Sequence, residues 1–159
     1  MMRPYYLVAA LIIAFDQATK FLVVAFLLPG QSIALIGNVL HLTYVRNTGA
    51  AFGILPGNNA LLIVVAAFAA LFIIYAIYRL PKDRTYYRLG LALILAGSAG
   101  NILDRVYRGY VVDMIDFRFF PVFNVADIMI NVGMAIVIAG YLLVRRPGGA
   151  SLQKGERDS

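Results

Sequence analysis

The sequence predicts an all-α membrane protein of four transmembrane helices, and three observations carry that prediction. The 159 residues are 62% hydrophobic and only 14% charged, with a mean hydropathy of +0.81. A soluble domain is roughly half apolar and a quarter charged. The apolar residues fall into four runs close to the ~20 residues a helix needs to cross the hydrocarbon core. The lysines and arginines gather in the short segments between those runs, as flanking charges of spanning helices do.

Each run has its own character. The first, about 5–28, is interrupted by Asp16, Gln17 and Lys20. The second, about 60–78, holds no charge. The third, about 86–103, is the shortest, and Tyr86 and Tyr87 extend it into the interface that aromatic rings favour. The fourth, about 125–144, carries Asp127 and Asn131 near its start. Residues 1–146 are expected to form one integral membrane domain, and 147–159 a polar cytoplasmic tail. No cleavable signal peptide is expected, because no small-residue cleavage site follows the first run and further spans do.

Four spans place both termini on one side. Nine lysines and arginines lie on that side, in Arg3, the 79–88 link and the tail, against four (Arg46, Arg105, Arg108 and Arg118) on the other. The positive-inside rule therefore predicts cytoplasmic termini. Two outer segments remain, Pro29–Asn59 and Asp104–Asn124. In the first, Leu40–Tyr44 alternates like a short strand, with His41 expected at its surface. The small-residue stretch Asn47–Gly53 follows, in which glycines permit tight turns.

Several function classes drop out. There is no cysteine, so disulfides, thiolate metal sites and cysteine nucleophiles are excluded. One histidine argues against a His-rich metal site and a Ser-His-Asp triad. Neither HExxH nor a GxxxxGK phosphate loop is present. The net charge of +6 reads as membrane topology rather than a nucleic-acid footprint.

The carboxylates carry the chemistry. Ionisable residues in or beside a span are functional candidates by default. Asp113 lies beyond the third run and Asp127 in the first turn of the fourth, with thirteen residues between them. Two carboxylates meeting in a dry site share one proton, which is the state needed to activate water and polarise a peptide carbonyl. The competing reading pairs them with Arg105, Arg108 or Arg118 and makes Asp127 a helix N-terminal charge. Asn124, Asp127 and Asn131 share one helical face; N-capping accounts for Asn124 but not for Asn131. Asp16 and Lys20, four apart, can pair and tie the first helix to the bundle. Ala96–Gly100 forms a small-residue face suited to close helix packing. Arg105 can clamp a carboxylate or a backbone carbonyl, or serve as a snorkelling interfacial arginine.

Five stretches together resemble lipoprotein signal peptidase, also called signal peptidase II. Asp16-Gln17-Ala18-Thr19-Lys20 is similar to that family's DQxxK, and Asn47-Thr48-Gly49-Ala50-Ala51-Phe52 to its NxGAAF. Gly100-Asn101-Ile102-Leu103-Asp104-Arg105 is similar to GNxxDR, Gly109–Asp113 to GxVVDF, and Phe123–Asp127 to FNxAD. They occur in order from residue 16 to residue 127. Met114 departs from the family's usual phenylalanine, which predicts altered pocket packing, and Asp116 adds a carboxylate that the motif alignment does not favour over Asp113.

The resemblance implies an aspartic endopeptidase of the bacterial inner membrane with Asp113 and Asp127 catalytic. It would remove the signal peptide from prolipoproteins just before a diacylglyceryl-modified cysteine at the outer face. Asn47, Asn101, Asp104, Arg105 and Asn124 would support substrate or dyad, and Asp16 and Lys20 would be structural. The first outer segment would form a small β-containing extracytoplasmic platform and lid. No metal or organic cofactor is implied. The expected partners are the lipidated prolipoproteins and membrane lipid, with no nucleic acid, and the chain is expected to act as a monomer. The rival class is a small proton- or cation-coupled transporter subunit with Asp16, Asp113 and Asp127 as the path. It would need polar residues through the full depth of the bundle, whereas the inner halves of the last three helices are apolar.

Overall fold

The computed structural model describes residues 3–49, 57–81 and 83–144. Four helices are long and apolar enough to cross a membrane: α1 (Arg3–Phe26), α2 (Asn59–Arg79), α3 (Thr85–Arg108) and α4 (Val125–Val144). A three-stranded antiparallel sheet, β1 (Ser32–Ile36), β2 (Leu40–Asn47) and β3 (Val111–Asp116), sits at one end in that order. Residues 50–56 of the outer segment expected to form the platform and lid, and the tail 147–159, lie outside the described residues.

The largest departure from the sequence reading is α3, expected to stop near 103 but running to Arg108. Asp104, Arg105 and Arg108 are therefore helical. Charged residues at a helix end read as loop until their partners are known, and Asp104 has two cationic ones, Lys20 and Arg108. Gly109 ends the helix in a left-handed conformation (φ 80°), its N–H returning to the Arg105 carbonyl. Only glycine adopts that conformation at no steric cost. The chain then turns straight into β3, placing Asp113 five residues past the helix rather than about ten.

Of the strands, β2 was legible from its alternation. A bulge between Leu42 and Val45 shifts its register against β3 and brings Val45 opposite Asp113. β3 points Val112 and Met114 into a core shared with Tyr44 and with Val23 and Leu27 of α1. Met114 thus packs on the α1 side, away from the cleft that Asp113 lines.

α3 is the central helix, packed against α1, α2 and α4. α1 runs parallel to it, with Asp16 against Gly100 and Lys20 against Asp104. α4 runs antiparallel, with Gly133 against Gly90 and Ala126 against Gly97. The small-residue face read in 96–100 is thus the contact surface of α3 for both neighbours. The other sides of α1, α2 and α4 expose large apolar groups such as Phe21, Phe68, Phe72 and Leu142. A water-soluble fold does not tolerate so large an apolar surface, whereas lipid does.

Gly97 is the tightest point of this packing. A Cβ there would collide with the Ala126 carbonyl oxygen and come within 2.8 Å of Ile130 Cγ1. Gly97→Val is expected to force α4 away and to destabilise the fold by about 1–3 kcal/mol. Thermal unfolding in detergent reads this as a lowered midpoint; an unchanged midpoint would mean that α3 and α4 are not so closely packed.

Candidate active site

α4 begins with a reciprocal cap. Asn124 Oδ1 accepts the Asp127 N–H at 3.0 Å, and Asp127 Oδ2 accepts the Asn124 N–H at 3.2 Å. This is a capping box built from Asn and Asp. A third free N–H of that turn, from Ala126, donates to Asp16 Oδ1 of α1 at 2.9 Å. The N-terminus of α4 is therefore held by carboxylates from two helices, which its dipole also favours.

Asparagines then tie Asp127 to Asp113. Asn124 Nδ2 donates to Asp113 Oδ1 at 2.6 Å, and Asn47 Nδ2, from the end of β2, donates to Asp113 Oδ2 at 2.9 Å. Asn101 Nδ2, from α3, donates to Asp127 Oδ1 at 2.9 Å. Asn101 Oδ1 in turn accepts from Asn124 Nδ2 at 3.2 Å and from Lys20 Nζ at 2.9 Å. Each aspartate thus accepts two N–H bonds, and one residue, Asn124, touches both. Among the described residues neither aspartate forms an ion pair, so the arginine pairing weighed for them in the sequence does not occur. The capping reading of Asp127 does occur, and it is the same geometry that aims the carboxylate.

Both carboxylates line a cleft of about 490 Å³ between α2, α3, α4 and β3. Asp113 is only 2% exposed. Burial, reinforced by the Asp127 charge, pushes its pKa from the ordinary 3.8 to about 7, against the opposing pull of the Asn47 and Asn124 bonds. A pair in this state holds one proton near neutral pH, and so contains one general acid and one general base.

Arg105 lines the same cleft, and its Nη2 donates to the Gly49 carbonyl at 2.8 Å. Of the alternatives weighed for it, the backbone-carbonyl clamp is the one formed. Asn59 at the start of α2 donates to the Arg105 carbonyl at 3.0 Å, which ties that helix end to α3.

Behind the cleft sits a buried ion cluster. Lys20 Nζ lies 2.9 Å from Asp16 Oδ2 and 3.0 Å from Asp104 Oδ2. Asp104 also pairs with Arg108 and accepts the Val112 N–H at 3.0 Å, anchoring β3 to α3. Gln17 completes the cluster, donating to the Gly100 carbonyl at 3.1 Å. The sequence reading singled out neither Gln17 nor Arg108 for this role. The i, i+4 spacing of Asp104 and Arg108 was the available signal, hidden by placing both in a loop.

The remaining expectations divide. Asp116 faces another network, accepting from Thr43 Oγ1 and the Arg118 N–H, each at 2.8 Å. Burial works to raise its pKa, but these bonds and the Arg118 charge outweigh it and lower the value. His41 is a strand residue but not a surface one. It is buried, with Arg118 Nη2 2.9 Å and Ser32 Oγ 3.3 Å from its Nδ1. A neighbouring network across the hairpin covers it, which a single strand's alternation does not reveal.

A fold of four spanning helices with a small sheet over two carboxylates that line one cleft defines a class, the polytopic membrane peptidases, and comparison with known proteins narrows it. The family described as signal peptidase (SPase) II matches residues 8–143. The chain is 45% identical over 142 residues to the lipoprotein signal peptidase of Caldanaerobacter subterraneus subsp. tengcongensis, covering 89% of this chain and 96% of that one. It is 44% identical over 140 residues to that of Moorella thermoacetica, covering 88% and 93%. A solved bacterial membrane enzyme superposes with a TM-score of 0.86 at 29% identity, over 100% of this chain and 96% of the other. A second does so with a TM-score of 0.82 at 30% identity, over 92% and 96%. This chain belongs to the signal peptidase II family. It is a multi-pass membrane protease acting on prolipoproteins, and nothing in these comparisons supports the transporter alternative.

Proposed function

We propose that Asp113 and Asp127 are the catalytic dyad with which this peptidase releases the signal peptide of prolipoproteins, cutting just before a diacylglyceryl-modified cysteine. The observation that carries it is the pair itself: two carboxylates lining one cleft, joined through Asn124, with no cation paired to either among the described residues. Asp113, pushed up to about 7, holds the proton, and Asp127 is the base. Asp127 takes a proton from water as the water oxygen bonds to the scissile carbonyl carbon, and Asp113 gives its proton to the carbonyl oxygen. Asp127 then delivers its proton to the departing nitrogen as the C–N bond breaks. Asp113 recovers its proton from the collapsing diol, so the dyad returns to its starting state.

The supporting roles follow from the contacts. Asn47, Asn101 and Asn124 orient the two carboxylates. Arg105 holds the Gly49 carbonyl at the edge of the cleft. Asp104, Asp16 and Lys20 fix α1, α3 and β3 behind it. The largely apolar lining of the cleft suits a signal helix and acyl chains that never leave lipid. With cytoplasmic termini, as the charge distribution favours, the cleft opens at the outer boundary of the bacterial inner membrane, in a single membrane domain that works as a monomer.

The test is cleavage of a purified precursor with and without its diacylglyceryl group. The lipidated precursor is expected to be cut and the unmodified one not, at rates falling about tenfold per pH unit above an apparent pKa near 7 as Asp113 loses its proton. Equal cleavage of both precursors would remove the lipid requirement. A flat profile across neutral pH would remove the proposed acid.

A further inference from the structure

Two polar residues of the cleft have no part in the chemistry described so far. Ser98 of α3 and Asn131 of α4 both line it. The other polar lining groups are engaged at the dyad level: Asn47 with Asp113, Asn101 with Asp127, and Arg105 with Gly49. Asn131 Nδ2 donates to the Asp127 carbonyl at 2.9 Å. Among the described residues its Oδ1 and the Ser98 hydroxyl have no hydrogen-bond partner. Their depths are similar, since Asn101 and Asp127 are hydrogen-bonded to each other. Ser98 lies three residues before Asn101, about 4.5 Å further into the bundle, and Asn131 four residues after Asp127, about 6 Å further in. Their surroundings are apolar: Leu62 and Val65 of α2, Ile102 of α3, Ile130 and Met134 of α4. Ser98 is half-buried and Asn131 exposed, and at membrane depth polar groups left open are costly unless a ligand satisfies them.

The substrate supplies the matching need. A carbonyl inside an α-helix is engaged by the N–H four residues on and shielded by side chains, so water and Asp113 cannot reach it. Cleavage requires the end of the signal helix to unwind. Unwound backbone at membrane depth survives only where protein satisfies its N–H and C=O groups. We infer that Ser98 and Asn131 form a polar subsite that receives the unwound backbone just before the scissile bond, donating to its carbonyls and accepting from its amides. They are positioning residues, and this rests on the peptidase reading above. α2 packs on α3 and makes little contact with α4, which leaves the wall between α2 and α4 open for an apolar segment to lie along the two residues.

The experiment compares two lipidated precursors. One has an uninterrupted apolar signal helix. The other carries a Gly-Pro pair a few residues before the cut, so that this turn is already unwound. Wild type, Ser98→Ala and Asn131→Ala are assayed on both, with unfolding midpoints measured alongside. Each variant is expected to lose about tenfold in kcat/KM on the uninterrupted precursor, the equivalent of one hydrogen bond at the upper end of its usual worth. On the loosened precursor the loss is expected to shrink to about threefold or less. Among the described residues Ser98 has no side-chain hydrogen-bond partner, so Ser98→Ala keeps the test sound even if Asn131→Ala perturbs α4. Equal losses on both precursors, or no loss on either, would overturn this inference while leaving the peptidase reading standing. Failure of wild type to cut either precursor would overturn both.

Discussion

Asp113→Asn and Asp127→Asn are each expected to lower kcat for prolipoprotein cleavage by about 10⁴-fold, the upper range for loss of a general acid or base. Both changes nearly conserve volume, and both remove the titratable group. Asp113 has the sharper internal control. Its pKa rises on folding from the ordinary 3.8 to about 7, so the folded state binds its proton more tightly than the unfolded one. Its contribution to stability is therefore full below about pH 4 and is lost as pH rises to 7 and beyond, a change on the order of a few kcal/mol. Asp113→Asn has no such dependence. Its melting temperature relative to wild type is expected to rise between acid and alkaline pH, even as activity disappears. An inactive variant that also melted lower at every pH would point to a structural role instead.

Near-normal cleavage by either variant would break the dyad assignment. The other carboxylates offer no ready substitute. Asp116 is committed to Thr43 and Arg118, and Asp104 to Lys20, Arg108 and the Val112 amide. Neither lines the cleft. An active Asp113→Asn protein would therefore require a rearranged site rather than a neighbour stepping in.

The parts of the structure that could be read in the sequence are those specified by local physics. α4 was bounded correctly because a polar cap, Asn124, stands directly before an unbroken apolar run. α2 differs by one residue at each end for the same kind of reason. β2 showed itself by alternation, although its bulge and its register with β3 depend on pairing across more than sixty residues and leave no local trace. β3 was missed because Val111-Val112-Asp113-Met114-Ile115-Asp116 is buried at most positions and so does not alternate in polarity. The buried aspartates Asp113 and Asp116 read there as loop residues, since their partners come from β2 and from the start of α4. The end of α3 was misplaced for a related reason: the charge of Asp104 is met by Lys20, distant in sequence. The pair Asp113 and Asp127 was legible as chemistry, but the asparagine relay joining it was not. Asn47 and Asn101 stood out only through resemblance, Asn124 also through the helical face it shares with Asp127 and Asn131, and only the folded chain shows that the three meet.

Lys20→Met is expected to be the most destabilising single change outside the dyad. Lys20 is 0% exposed, and its ammonium is shared by Asp16 at 1% and Asp104 at 0%. Methionine fills nearly the same volume but leaves Asp16 a buried charge without a cation, while Asp104 keeps only Arg108. Breaking a buried pair on one side costs about 3–5 kcal/mol. For a chain of this length that lowers the melting temperature by roughly 6 °C or more. The damage would also reach the site. Lys20 Nζ donates to Asn101 Oδ1, which fixes the amide so that its Nδ2 faces Asp127. Without the ammonium, that orientation rests on the bond from Asn124 Nδ2 and on the bond to Asp127 itself. The double variant Asp16→Asn/Lys20→Met removes the orphaned charge and keeps a partner for the Ala126 amide. Its midpoint is expected to recover part of the loss, while cleavage stays depressed because Asn101 still lacks the Lys20 bond at its Oδ1. A double-mutant cycle on melting temperature and on kcat separates the two effects. Were Lys20→Met to melt within about 2 °C of wild type and cut normally, the cluster would be incidental to both fold and site.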